Sequence, residues 1–213
     1  PGGRFSEWAH EHLEPGAALD VMAPAGRFGC SPGSAPARHY LAVAAGSGIT
    51  PVISLARTLL AAEPSASFTL VYGNRDMASI IFREALDDLK DRYVARFSAI
   101  HILSRELQDV ALFNGHIDGP RLQALTAAGL IAPADADLVF VCGPTAIMDT
   151  AETALTALGA APERIQTERF LPTPGAAVRK PDTADTPPEG ARVTAIFDGV
   201  ARTFQMAHGE SSA

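Results

Sequence analysis

The segment Gly46-Ser47-Gly48-Ile49-Thr50-Pro51 has the residue types and spacing to hold a phosphate. It follows the apolar run Leu41-Ala42-Val43-Ala44-Ala45. A strand that breaks into small residues and then a helix start leaves unpaired backbone N–H groups converging on one spot, which suits an anion. Gly46 and Gly48 let such a ligand approach the backbone without meeting a Cβ. Thr50 is expected as the N-cap of the following helix, and Pro51 as its first residue, where a missing N–H does no harm. No third glycine follows at the dinucleotide-binding spacing, so the segment alone is equally an ordinary strand-to-helix connection.

Two arginines extend the case. Tyr72-Gly73-Asn74-Arg75 and Ser104-Arg105 each close an apolar run. Arginines at two neighbouring strand ends, one with a hydroxyl beside it, would meet a phosphate monoester such as the 2′-phosphate of NADP through charge-assisted hydrogen bonds. For either arginine by itself a solvated loop charge is the commoner fate; the pair, beside the glycine turn, favours binding. Asp76 follows Arg75 without displacing it, whereas an NAD site more often sets an acid on the ribose hydroxyls there. Cys142, in Cys142-Gly143-Pro144-Thr145, ends another apolar run. It is expected at the rim of a cleft with its thiol near a helix start. A buried structural cysteine is the alternative, and a nucleophile would lack a neighbouring His or Asn.

The elements that must position these residues alternate. Strands are expected over 38–45, 68–72, 97–103, 137–142 and 164–168, with helices over 51–62, 79–93, 120–128 and 144–158. Strands this apolar on both faces, separated by helices, imply an α/β fold with a five-stranded, doubly wound parallel sheet. Ligands bind such sheets at the C-terminal ends of the strands, where all the residues above fall.

Composition narrows the classes. A net charge of −7 and a pI near 5.3 argue against a nucleic-acid partner. No apolar run approaches a membrane span and no segment resembles a signal peptide, so a soluble cytoplasmic protein is expected. The two cysteines, Cys30 and Cys142, form no Cys-x-x-Cys pair, and no metal ligand set is expected in this chain. The chain opens on Pro1 and closes just after a strand-like pattern, and it is expected to be cut at both ends. Residues 1–36 form one region, 37–172 the α/β domain, and the Pro/Thr/Ala-rich stretch 173–190 a linker. Residues 191–213 open a further domain with a β-hairpin, Val193–Phe197 and Val200–Met206 joined by a type I′ turn at Asp198-Gly199.

Taken in order, Ala44–Pro51, Tyr72–Arg75, Ser104-Arg105-Glu106 and Cys142-Gly143-Pro144 resemble the pyridine-nucleotide domain of the ferredoxin–NADP reductase family, over roughly 38–171. Ser79–Glu84 and Thr167–Phe170 resemble the members that serve oxygenases. The resemblance implies NADPH across the strand ends, its pyrophosphate on the turn of Gly46, Ser47, Gly48 and Thr50, and its 2′-phosphate between Arg75, Ser104 and Arg105, with Pro51 and Asn74 as further cofactor-binding residues. The nicotinamide would lie near Cys142, Gly143 and Pro144, with Cys142 packing against the ring. Glu168 would be a polar partner at the reaction centre and Phe170 a flavin-stacking residue, each also readable as structural.

The family also implies that 1–36 is the end of an FAD-binding β-barrel. Gly3 and Ser6 would contact the FAD pyrophosphate, and Val21–Phe28 would form the last barrel strand. The final hairpin would begin a ferredoxin-like β-grasp domain whose [2Fe–2S] ligands, a Cys-x4-Cys-x2-Cys run and a later Cys, are absent from this sequence. The implied function is an NADPH-dependent flavin and iron–sulfur reductase passing electrons to an oxygenase component. The alternatives are the reductase of another aromatic-ring oxygenase, or a nucleotide-binding module without catalysis of its own.

Overall fold

The computed structural model describes residues 4–21, 26–33, 37–170, 191–197 and 200–206. They fall into two compact units, Gly26–Pro172 and a second one assembled from Pro1–Ala25 and Thr173–Ala213.

The larger unit is organised by β1 (His39–Ala45), in which every residue after His39 is buried. β2 (Ser67–Asn74), β3 (Phe97–Leu103), β4 (Leu138–Cys142) and β5 (Ile165–Glu168) join it in a sheet of order β3-β2-β1-β4-β5. All four pairings are parallel. Successive residues of a strand face opposite sides, and β1 divides accordingly. Tyr40, Ala42 and Ala44 pack with Val52, Leu59, Leu86 and Leu89 of α2 (Ile49–Ala62) and α3 (Arg83–Arg92). Leu41 and Val43 pack with Leu122, Leu125, Met148 and Leu155 of α4 (Gly119–Ala127) and α5 (Thr145–Ala157). The expected doubly wound sheet is therefore present. The chain leaves β1 toward β3, then returns across β1 to β4, so strand order reverses between β1 and β4; crevices for ligands open at such switch points.

Several elements differ from expectation for local reasons. The helix expected from 79 starts at Arg83, because Asp76 caps a 3₁₀ turn over Met77–Ser79 and receives the Ser79 amide at 2.8 Å, with the Ser79 side chain bonded back. Ile80 then runs extended, and Phe82 takes a left-handed conformation at φ 59° before α3 begins. The helix expected from Pro144 starts at Thr145, with Pro144 extended as its N-cap. Residues 21 and 26–28, expected within a barrel strand, are not in a strand; a strand needs paired neighbours to persist. Phe28 instead packs edge-on against Phe140, with ring centroids 5.5 Å apart.

In the second unit α1 (Arg4–His12) carries Trp8 stacked on His12. β6 (Ala191–Phe197) and β7 (Val200–Met206) form the expected antiparallel hairpin, with Phe197 opposite Val200. Its turn residues Asp198 and Gly199 lie outside the described residues, as does Gly3; Ser6 falls in the first turn of α1. Among the described residues no helix is long and apolar enough to cross a membrane.

Candidate nucleotide site

β1 ends extended at Ala45, and the chain turns through a 3₁₀ helix, Gly46–Gly48, directly into α2. Gly46 adopts φ 52°, which glycine reaches without strain. A Cβ on Gly48 would collide with the Cys142 carbonyl, so this glycine lets the turn after β1 sit against the end of β4. Thr50 is not the N-cap: α2 starts at Ile49, and the Thr50 hydroxyl donates back to the Ser47 carbonyl at 3.1 Å. Pro51 is correspondingly the third helical residue, still within the first turn whose N–H groups need no intrahelical partner. The 3₁₀ turn takes over the capping role because the Ile49 amide already closes on the Gly46 and Ser47 carbonyls. Ser47 and Thr50 are exposed above the turn.

The two arginines are brought together by backbone. Past the strand ends the β2–β3 ladder continues, with the Ser104 amide donating to the Asn74 carbonyl at 3.0 Å and the Arg105 amide to the Arg75 carbonyl at 2.7 Å. Both arginines are exposed, and neither forms an ion pair among the described residues. Their acidic neighbours are turned away, Asp76 onto the Ser79 amide and Glu106 onto the Met77 amide at 2.8 Å. The Asn74 side-chain nitrogen is buried and makes no hydrogen bond among the described residues. A buried donor without an acceptor is costly in isolation. Two exposed guanidiniums thus stand on adjacent backbone at the ends of β2 and β3, with the half-buried Ser104 beside them, where an anion would complete them.

Cys142 is the last residue of β4, paired with Ala44 on one side and Glu168 on the other. It is 1% exposed rather than at an open rim. Burial, with the Glu168 charge adding to it, pushes its thiol from 9.0 up to about 11. It is therefore a neutral, polarizable side chain at neutral pH and not a thiolate nucleophile. Gly143 and Pro144 bridge β4 to α5, Pro144 being exposed. Glu168 is half-buried, and Phe170 is 52% exposed. Glu168 lines an open cavity of about 320 Å³ with Arg27, Phe28, Gln166, Thr167 and Arg169. The segment at 26–33 is held there by the Gly29 amide, which donates to the Gln166 side chain at 2.8 Å.

Residues 42–153 match the oxidoreductase NAD-binding domain family. The chain belongs to that family. It is an NAD-binding domain of the ferredoxin–NADP reductase type, as the ordered motifs at the strand ends indicate. It is 48% identical over 198 residues to a component of the 1,2-phenylacetyl-CoA epoxidase of Escherichia coli (strain K12), covering 93% of this chain and 54% of that protein. It is 37% identical over 204 residues to the ferredoxin reductase component of a 3-ketosteroid-9-alpha-monooxygenase from Mycobacterium tuberculosis (strain CDC 1551 / Oshkosh), covering 94% of this chain and 52% of that one. The chain thus spans about half the length of these relatives. The flavohem-like FAD/NAD binding domain of nitric oxide dioxygenase from Vibrio cholerae O1 biovar El Tor shares the fold. Its TM-score is 0.65 at 23% identity, over 80% of this chain and 65% of that one.

Sequence reasoning missed the groups that shape this NAD-binding domain from beneath. The Tyr72 hydroxyl donates to the Gly46 carbonyl at 2.9 Å, a contact across 26 positions with no local signal. Glu106 on the Met77 amide is equally non-local. The Asp76–Ser79 cap could have been found, since an acid three residues before a serine is a capping pattern. His101 lies beside Tyr72 with ring centroids 6.0 Å apart, and burial lowers its pKa, so it is a neutral packing group.

Proposed function

We propose that this chain is the NADPH-binding domain of a cytoplasmic flavin and iron–sulfur reductase whose electrons go to an oxygenase, with phenylacetyl-CoA epoxidase in phenylacetate catabolism as that partner. The coenzyme reading is carried by one observation: Arg75 and Arg105, exposed and without an ion pair among the described residues, are fixed side by side through the Arg105 amide on the Arg75 carbonyl. That arrangement is a fork for a dianionic 2′-phosphate, with Ser104 beside it as a neutral donor and Asn74 next in sequence to Arg75. The partner reading draws on the relatives, which are named as parts of oxygenase systems.

When bound, NADPH would supply a hydride and FAD would accept it. This chain's residues bind and orient. The turn at Gly46–Thr50 seats the pyrophosphate, and the β2 and β3 ends grip the 2′-phosphate. Cys142, with Gly143 and Pro144 leading into α5, borders the nicotinamide, where a neutral sulfur packs without competing for the reaction. Glu168, one strand further, supplies a polar edge, and Phe170 presents an exposed ring for a flavin. Gly3 and Ser6 are the FAD pyrophosphate contacts in the same reading. Cys30 and Cys142 do not fit a cluster, being single cysteines in separate surroundings, one of them held as a thiol by burial. No part of the cluster's work is assigned to them.

Anaerobic titration of the full-length protein tests the reading. Stoichiometric bleaching of flavin and cluster absorbance by NADPH, with NADH much weaker, is expected. A colourless protein that still binds NADPH would leave a nucleotide-binding module, and equal response to both coenzymes would remove the 2′-phosphate assignment.

A further inference from the structure

Tyr72 is fully buried on β2, its Cα beside that of Ala44 on β1. From there its ring reaches past the end of β1, and the hydroxyl donates to the Gly46 carbonyl. Burial is the largest influence on that hydroxyl and raises the phenol pKa. The hydroxyl therefore stays protonated and remains a donor.

The bond acts through peptide geometry. A trans peptide is planar, and its C=O and N–H point in opposite directions. The Gly46 carbonyl, turned inward to Tyr72, therefore sends the Ser47 N–H outward, on the exposed side of the turn. Glycine at φ 52° permits that plane but does nothing to hold it. The Ile49 amide also closes on the Gly46 carbonyl, but from within the same turn; Tyr72 ties it to the sheet. The Ser47 amide is the second of the 3₁₀ turn Gly46–Gly48, among the first N–H groups that a helix start leaves without a partner inside it.

We infer that Tyr72 is the positioning residue of the phosphate turn: its hydroxyl locks the Gly46–Ser47 peptide so that the Ser47 N–H faces the pyrophosphate of the bound nucleotide. This rests on the nucleotide reading of the turn and adds to it a group that never touches the ligand.

Calorimetry on the full-length protein with three probes separates the two. ADP-ribose carries only the pyrophosphate, 2′-AMP only the 2′-phosphate, and 2′-phospho-ADP-ribose both. Tyr72→Phe is expected to weaken ADP-ribose and 2′-phospho-ADP-ribose by the same factor, about fivefold for one ordinary hydrogen bond. It should leave 2′-AMP unchanged. A parallel loss for all three probes, or for none, overturns the inference. Wild-type protein that fails to bind ADP-ribose overturns the nucleotide reading instead. Thermal melting reports whether Tyr72→Phe perturbs the fold. If it does, Gly46→Ala, whose backbone strain at φ 52° falls on the turn alone because its Cβ would meet nothing within 4 Å, must reproduce the same pattern across the probes for the inference to stand.

Discussion

Beneath β1, at the N-terminal edge of the sheet, Arg38, Tyr40 and Glu63 meet; beyond its C-terminal edge Tyr72, Asn74, Arg75 and Arg105 gather. The residue types are much the same, and the bonding of their charged groups is opposite. Glu63 is only 5% exposed, yet it receives the Tyr40 hydroxyl on both oxygens at 3.0 Å and the Gly33 amide at 2.8 Å, with Arg38 3.6 Å away. Arg96 caps the same corner, donating to the carbonyls of Leu60, Glu63 and Ala66. Every charge there has a protein partner. At the other edge the arginines are unpaired among the described residues and the Asn74 amide is orphaned. A polar cluster that satisfies itself builds the fold, whereas one left incomplete on a pre-formed backbone is waiting for a ligand.

The comparison breaks most visibly at the incomplete end. Arg75→Ala with Arg105→Ala removes two charge-assisted contacts worth about 1.5–3 kcal/mol each, so NADPH affinity should fall at least about a hundredfold. NADH affinity and the urea midpoint should barely move, because neither arginine supports the fold. Equal losses for both coenzymes in fluorescence titrations would mean that these cations are solvated loop charges.

Glu63→Ala should do the reverse. It strands the Tyr40 hydroxyl, the Gly33 amide and Arg38 in a mostly buried corner, a loss of about 2–3 kcal/mol in urea unfolding. NADPH affinity measured well below the midpoint should be unchanged. A loss of affinity without loss of stability would mean that the two edges are coupled through β1, and the contrast between them would fail.

How legible each edge was in the sequence follows the same division. The strands and helices around both edges could be read from their apolar periodicity, which depends only on near neighbours. The glycine turn and both arginines were legible too, since each follows immediately on a strand. What stayed hidden required tertiary contact. Glu63 reads as an ordinary helix-end acid, and only its meeting with Tyr40, 23 positions away, makes it a core residue. Thr50 has the right chemistry for a cap, but the Gly46–Gly48 turn, held by Tyr72, closes the helix first. Cys142 reads as a rim residue, and packing in the core cluster that also holds Ala44, Tyr72 and Phe140 buries it. The start of α3 was missed where Asp76 and Ser79 formed a local cap in competition with the helix.

Cys142 sharpens the contrast, since it belongs to the ligand-binding edge yet is buried like the residues of the other. Cys142→Ala should slow flavin reduction by NADPH in stopped-flow measurements about three- to tenfold, with coenzyme affinity intact, as for an interaction made at the reacting ring. An unchanged rate with a lowered unfolding midpoint would assign it to the core alone.

The subtlest difference is in alkali. Burial is the main cause that raises the pKa of Cys142 from 9.0 to about 11, of Cys30 from 9.0, and of Tyr40 from 10.0 to about 12. In each case the folded state holds its proton more tightly than the unfolded chain. The stability this brings is complete below the unfolded value and is lost as pH rises toward the folded one. The thiols therefore govern the first loss, from about pH 9, and Tyr40 a later one, from about pH 10. Cys30→Ser with Cys142→Ala should delay the fall in the urea midpoint by about one pH unit, while Tyr40→Phe should leave its onset in place and flatten only the later part. An onset that does not move in the double variant would show that deprotonation of other groups begins the loss, and that the two thiols are not what alkali attacks first.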